Sequence, residues 1–207
     1  MLKINKGEPM PEYVSLFKRN DKPKTWNELN KIFGVFKIRD YILSNEQNGL
    51  CGYTELPISS DNTSSHLDHF KPRDWYHDEE FKWNNFIVAS KNDAFGARYK
   101  DNHSKSHLTK DDYKVIYNPV ESGMENVVYY DIDGNMNPID PKDIKVKRTI
   151  EVFNLNHNSL KERRKEIIRQ VNSFVECGTS HSDIKSLLND MGFPSVVDWE
   201  LKMCSNE

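Results

Sequence analysis

The stretch SSHLDHFKPRDWYHDEEFKWNNFIVASKNDAFGARYKD, residues 64–101, decides how the chain is read. Asp68 and His69 stand side by side at the end of an alternating segment, just before Phe70-Lys71-Pro72. Neighbours in a strand point to opposite faces, so a bend here aims a carboxylate at a cation and an imidazole at a water. Hydrolysis of a phosphodiester needs both functions: a cation to polarise the phosphoryl group and a base to make hydroxide near neutral pH. Imidazole, with an unperturbed pKa of about 6.5, suits the base. Downstream, Trp83-Asn84-Asn85 leads into Phe86-Ile87-Val88-Ala89, a short apolar run with the signal of a buried strand. Ser90-Lys91-Asn92-Asp93 then offers capping side chains for a helix through Ala97-Arg98-Tyr99-Lys100. The expected order is strand, long loop, strand, helix, which gathers Asp68, His69, an Asn and a first-turn helix residue.

On the N-terminal side, residues 1–24 are polar and punctuated by Pro9, Pro11 and Pro23, which predicts a surface arm. Thr25 with Glu28 forms a capping box, and the apolar spacing from Trp26 predicts a helix over 26–46, closed by Gly49. On the C-terminal side, VVYYDI (127–132), Asp133-Gly134 and NMNPI (135–139) read as a hairpin, because Asp-Gly tolerates the positive φ of a tight turn. Ser159 with Glu162 is a second capping box, and Leu160, Ile167, Ile168, Val171, Phe174 and Val175 form one stripe of a helix over 160–176. Shorter helices follow at 181–191 and 195–203, around Gly192 and Pro194. The fold class expected is α+β in one domain over 1–207. Its parts are an arm and helix (1–50), the central unit (51–110), a hairpin with a basic helix (111–176) and a helical tail (177–207).

Composition narrows the class. Lys and Arg number 29 against 32 Asp and Glu, a net charge of −3, so bulk charge does not mark a nucleic-acid binder. Aromatics at 11% with balanced charge exclude a disordered chain. No apolar run approaches the roughly 18 residues of a membrane span, and MLKINKGEPMPEY lacks the apolar core of a signal peptide. Cys51, Cys177 and Cys204 are too few and too scattered for a disulfide framework, which favours a reducing, cytoplasmic setting.

The central stretch resembles the HNH endonuclease superfamily with its ββα-metal fold. More narrowly, the chain is similar to the HNH nuclease subunit of Septu-type and retron-associated anti-phage defence systems. KINKGEPMPEY, LCGYTELPI, HLDHFKP, WNNFIVAS, NPVE, YDIDGNMNP and FNLNHNSLKERRKEI carry that likeness over most of the chain. The resemblance implies a ββα-metal core with flanking helices and a hairpin. It makes His69 the general base, Asp68 a metal ligand, and Asn85 the residue that holds the loop and orients the base. Asn92, placed where the helix is expected to begin, is the second ligand, with Asp93 and His103 as rivals. Alignment on Gly96 and Lys100 instead puts Ala97 there, which cannot ligate. Asp plus Asn is a hard-oxygen set suited to Mg²⁺ or Mn²⁺. Relatives clip the fold with zinc through paired CxxC motifs. Here Thr54, Ser90 and Phe95 stand where thiols would accompany Cys51, so structural zinc is expected to be absent.

His66 shares a strand face with Asp68 and reads either as a further ligand or as a hydrogen-bonding residue at the strand edge. Residues 142–170 hold nine Lys and Arg and four Asp and Glu, a local excess of +5. Arg163, Arg164, Lys165 and Arg169, set off the apolar stripe, read either as a solvated helix face or as a patch for backbone phosphates. The expected activity is metal-dependent cleavage of nucleic acid, DNA favoured over RNA. By resemblance, it is under the control of an ATPase partner of the ABC or SMC type in an anti-phage complex. The rival expectation is a degenerate HNH module that binds nucleic acid or the partner without cutting.

Overall fold

The computed structural model describes residues 1–61 and 63–205, and it is a mixed α+β fold with two small antiparallel sheets. The last two positions of the 177–207 segment therefore lie outside the described residues. Helices come first: α1 (Pro11–Phe17), α2 (Trp26–Ile32) and α3 (Val35–Asn45). Strand β1 (Ser65–His69) and strand β2 (Phe86–Ser90) form the first hairpin, followed by α4 (Ala97–Asp101) and α5 (His103–Ser106). Strands β3 (Val128–Tyr130) and β4 (Met136–Pro138) form the second. Four helices complete the chain: α6 (Ile144–Val152), α7 (Asn158–Glu176), α8 (His181–Leu188) and α9 (Pro194–Cys204). Among the described residues no helix is long and apolar enough to cross a membrane.

The β1–β2 hairpin is the pivot. Directly opposed residues of an antiparallel pair share a face, and the register sets Asp68 against Ile87 and His69 against Phe86. Ile87 and Ala89 pack into the large core built with α6, α7 and α9, whereas Phe86 and Val88 pack into a second core with Leu29, Ile38, Ile42 and Trp83. Both faces are covered, so every residue of β2 is buried and the Phe-Ile-Val-Ala run shows no polar alternation.

Several local expectations are corrected. The surface arm contains α1, with Pro11 at the first helical position, where its missing N–H costs nothing. The predicted 26–46 helix is two helices: Gly34 at φ +85° breaks it, and the Val35 N–H donates to Asn30 Oδ1 to restart it. Thr25 caps α2 as expected, accepting from the Glu28 N–H. The cap of α7 is His157, whose Nδ1 accepts from the Ser159 N–H, rather than Ser159 itself. The Asp133-Gly134 turn does close the β3–β4 hairpin, with Gly134 at φ +75°.

Candidate active site

The two faces of β1 give Asp68 and His69 separate surroundings. His69 is 8% exposed, with its ring 4.4 Å from Trp26 and 5.2 Å from Phe86. Its Nε2 lies 2.9 Å from the carbonyl of Glu80. A carbonyl only accepts, so Nε2 carries the proton and Nδ1 is left as the basic atom. Burial lowers the His69 pKa to about 4, helped by the charges of Arg73 and Lys100 and opposed by the Glu80 bond and Asp101. The imidazole is therefore neutral at pH 7, with Nδ1 unprotonated, and burial makes it a weaker base than a free imidazole.

Asn85 fixes this arrangement. It ends the tight turn Trp83–Asn85 and is buried. Its Oδ1 accepts from the Lys71 N–H at 2.8 Å, and its Nδ2 donates to the carbonyls of Lys71 at 3.0 Å and Glu79 at 3.1 Å. The side-chain amide thus ties the exit of β1 to the peptide next to Glu80, whose carbonyl holds His69. Removing it would free both ends of the 71–85 loop.

On the opposite face, Asp68 Oδ2 accepts from the Tyr53 hydroxyl at 2.5 Å and lies 3.5 Å from Lys100 Nζ. Lys100 is 0% exposed, and its ammonium donates to Asp101 Oδ1 at 2.6 Å and to the carbonyls of His69 at 3.3 Å and Phe70 at 3.4 Å. Burial works to lower the Lys100 pKa, but Asp68 and Asp101 outweigh it and hold the amine protonated. Burial and the charge of Asp68 push the Asp101 carboxyl up, against the pull of Lys100. The Asp101 side chain is 45% exposed and forms the solvent side of the cluster. His66, on the Asp68 face, has a buried Nδ1 with no hydrogen-bond partner, and burial together with Arg98 lowers its pKa to about 4.

The helix of this unit begins at Ala97, not at Asn92, because Gly96 at φ +74° turns the chain into α4 and anchors its N–H on the Phe153 carbonyl at 2.8 Å. Asn92 Oδ1 instead accepts from the Ala94 N–H in a local turn. Asp93 pairs with Arg98 at 3.1 Å, and the His103 ring packs 4.6 Å from Trp75. The structure thus engages all three candidates elsewhere and brings Asp101 to Asp68. Asp101 lies four residues after Ala97, on the same helix face, and that spacing was the available signal.

The donor chemistry fits a hard divalent cation in part. Asp68 and Asp101 supply carboxylates, and the orphaned His66 Nδ1 lies on the same strand face. Among the described residues, however, no three His, Cys, Asp or Glu side chains already converge on one metal position. For zinc the donors at the clip positions do not fit. Cys51 Sγ accepts from the Ser90 N–H at 3.4 Å, and Thr54 and Phe95 bring no thiolate or imidazole.

The basic helix needs one correction. Arg164 is 2% exposed and faces inward: Nε donates to the Gly134 carbonyl at 2.7 Å, and Nη2 donates to the Leu155 carbonyl at 2.8 Å and Asn156 Oδ1 at 3.1 Å. It stitches α7 to the second hairpin and cannot meet a phosphate. Arg163 and Arg169 are exposed, Arg169 pairing with Glu166, and Lys165 lies 3.4 Å from Asp133. No family model matches the chain, and no curated protein matches it.

Proposed function

We propose that the chain is a metal-dependent endonuclease of the HNH type, with His69 as general base. The observation that carries this reading is that Asn85, bonded to Lys71 and to the Glu79 carbonyl, pins the loop whose next carbonyl, that of Glu80, holds His69. A buried amide fixes a loop, the Glu80 carbonyl on that loop accepts a hydrogen bond from Nε2–H, and Nδ1 of a neutral imidazole remains to accept a proton from water. Asp68 and Asp101 on the other face of β1 would hold the cation, with Asp101 taking the role first assigned to Asn92. A bound divalent ion supplies positive charge to the phosphoryl group and the leaving oxygen. Arg73, whose guanidinium lies 5.4 Å from the Trp26 ring that abuts His69, and Arg98, beside His66, flank the site with charge suited to a phosphate backbone.

The reading extends, by the sequence resemblance, to an effector subunit governed by an ATPase partner in an anti-phage complex. The test is cleavage of plasmid DNA, single-stranded DNA and RNA by the purified chain in Mg²⁺ or Mn²⁺, with and without that partner. His69→Ala is expected to lower the rate by about 10²–10⁴-fold with the fold retained. Asp101→Asn should weaken metal binding and lower Mg²⁺- or Mn²⁺-supported cleavage. A folded His69→Ala chain that cuts as well as the original would sink the proposal.

One observation favours the degenerate module instead: Ala97 stands at the position that should ligate, and an ammonium already sits between the carboxylates. On that reading nucleic acid is bound but no condition gives cleavage that depends on His69.

A further inference from the structure

Four oxygens surround the Lys100 ammonium: Asp101 Oδ1 at 2.6 Å, the carbonyls of His69 at 3.3 Å and Phe70 at 3.4 Å, and Asp68 Oδ2 at 3.5 Å. Two of them are carboxylate and two are carbonyl, the oxygen types that hold Mg²⁺, Mn²⁺ or Ca²⁺ in cation sites. A lysine ammonium is a compact point charge on a flexible stem, so it can fill such a cage and also leave it. Its stem comes from α4, next to Asp101, so the helix that brings the second carboxylate also brings the competing charge.

We propose that the Lys100 ammonium occupies the cation position between Asp68 and Asp101, and that a divalent ion takes both carboxylates only by displacing it. The inference rests on the reading of these carboxylates as metal holders and specifies how loading is regulated. Two cations cannot share one cage, so the ammonium and a divalent ion compete for the same two carboxylates. The entry side is that of Asp101, which is 45% exposed while Asp68 is buried behind it. Any substrate or partner that shifts α4 would move Lys100 and Asp101 together and so change metal affinity.

Titration calorimetry with Mn²⁺ alone, on the whole chain, reads the effect without any nuclease assay. Lys100→Met should bind Mn²⁺ at least about tenfold more tightly than the original, since a like charge leaves the cage. Adding Asp101→Asn to it should abolish the gain, and Lys100→Arg should show none. Equal or weaker Mn²⁺ binding by Lys100→Met overturns the proposal, because Lys100 would then only position the carboxylates. If Lys100→Met is unfolded in chelator, Mn²⁺ should restore its near-UV circular dichroism; a variant that stays unfolded at saturating Mn²⁺ also overturns it. A chain that cuts nothing yet gains affinity in Lys100→Met supports this inference while removing the nuclease. Metal-dependent cutting without that gain overturns the inference alone.

Discussion

Lys100 and Arg164 are both buried cations, and their partners differ in kind. Arg164 is met by the carbonyls of Gly134 and Leu155, the Asn156 amide oxygen and the Tyr130 ring at 5.7 Å. Among the described residues it has no carboxylate in ion-pair contact, and burial lowers its pKa. Lys100 is met by two carboxylates, one reaching solvent, and its pKa is raised. A guanidinium held by neutral acceptors ties two elements together and has no reason to move. An ammonium held by two carboxylates as well as two carbonyls sits among the oxygen types that hold divalent cations, which is the basis of the proposed exchange. The α7–hairpin region is thus a structural joint, and the β1–α4 region is the one on which the proposed chemistry rests.

The largest test of that contrast is Arg164→Met. It leaves two buried carbonyls without donors and should cost about 4 kcal/mol of stability in urea titrations. The loss should be the same with and without Mn²⁺. A folded variant of unchanged stability that binds nucleic acid more weakly would return Arg164 to the substrate face and break the comparison.

Acid should discriminate the regions in the opposite sense. The His69 pKa of about 4 lies below the usual 6.5, so between these values the unfolded chain binds the proton first. Stability from this group is complete above pH 6.5 and is lost as pH falls through 4. In chelator, the loss is about 3 kcal/mol between pH 7 and pH 4. Comparing denaturant titrations of the chain and His69→Gln isolates it, and hydrogen exchange should show β1 and β2 opening before α7. Equal pH slopes for the two chains would mean that His69 is not held neutral by burial.

What the sequence made legible follows from where the information sits. Phe86–Ala89 reads as a buried strand because both its faces are covered; the strand–loop–strand order places His69 and an Asn beside it, and the choice of Asn85 rests on the resemblance. The break at Gly34 was hidden because apolar spacing runs through it, while the φ +85° and the Asn30 cap are tertiary choices. Arg164 was misread because charge suggests exposure, although it lies four residues after Leu160 and three before Ile167, on the apolar stripe itself. Asn92 was misread because a capping-type run was taken for a cap when it makes a turn. The i, i+4 spacing from Ala97 points to Asp101, but its approach to Asp68, with Lys100 between them, depends on the bend that brings α4 against the end of β1.

A smaller effect sharpens the joint. Gly134 has φ +75°, and a Cβ there would stand 2.3 Å from the Lys161 carbonyl. Gly134→Ala should therefore cost about 2 kcal/mol, through left-handed backbone strain and a backbone clash. Because Arg164 Nε donates to the Gly134 carbonyl, the loss should be less than additive with Arg164→Met in a double-mutant cycle. Strict additivity would mean that the turn and the guanidinium act independently.

The smallest stability effect lies on the outer face of the same helix. Arg163 is exposed, and Arg169 is exposed and engaged with Glu166. Arg163→Ala should change stability by less than about 0.5 kcal/mol. If this face holds a phosphate, the same change lowers the salt slope of nucleic-acid binding by about 1. Arg169→Ala should lower it less, since its charge is already shared with a carboxylate. An unchanged slope in Arg163→Ala would confine substrate contact to the β1–α4 side, where Arg73 and Arg98 flank the site. The basic helix α7 would then serve the fold through Arg164 and solvation through the rest.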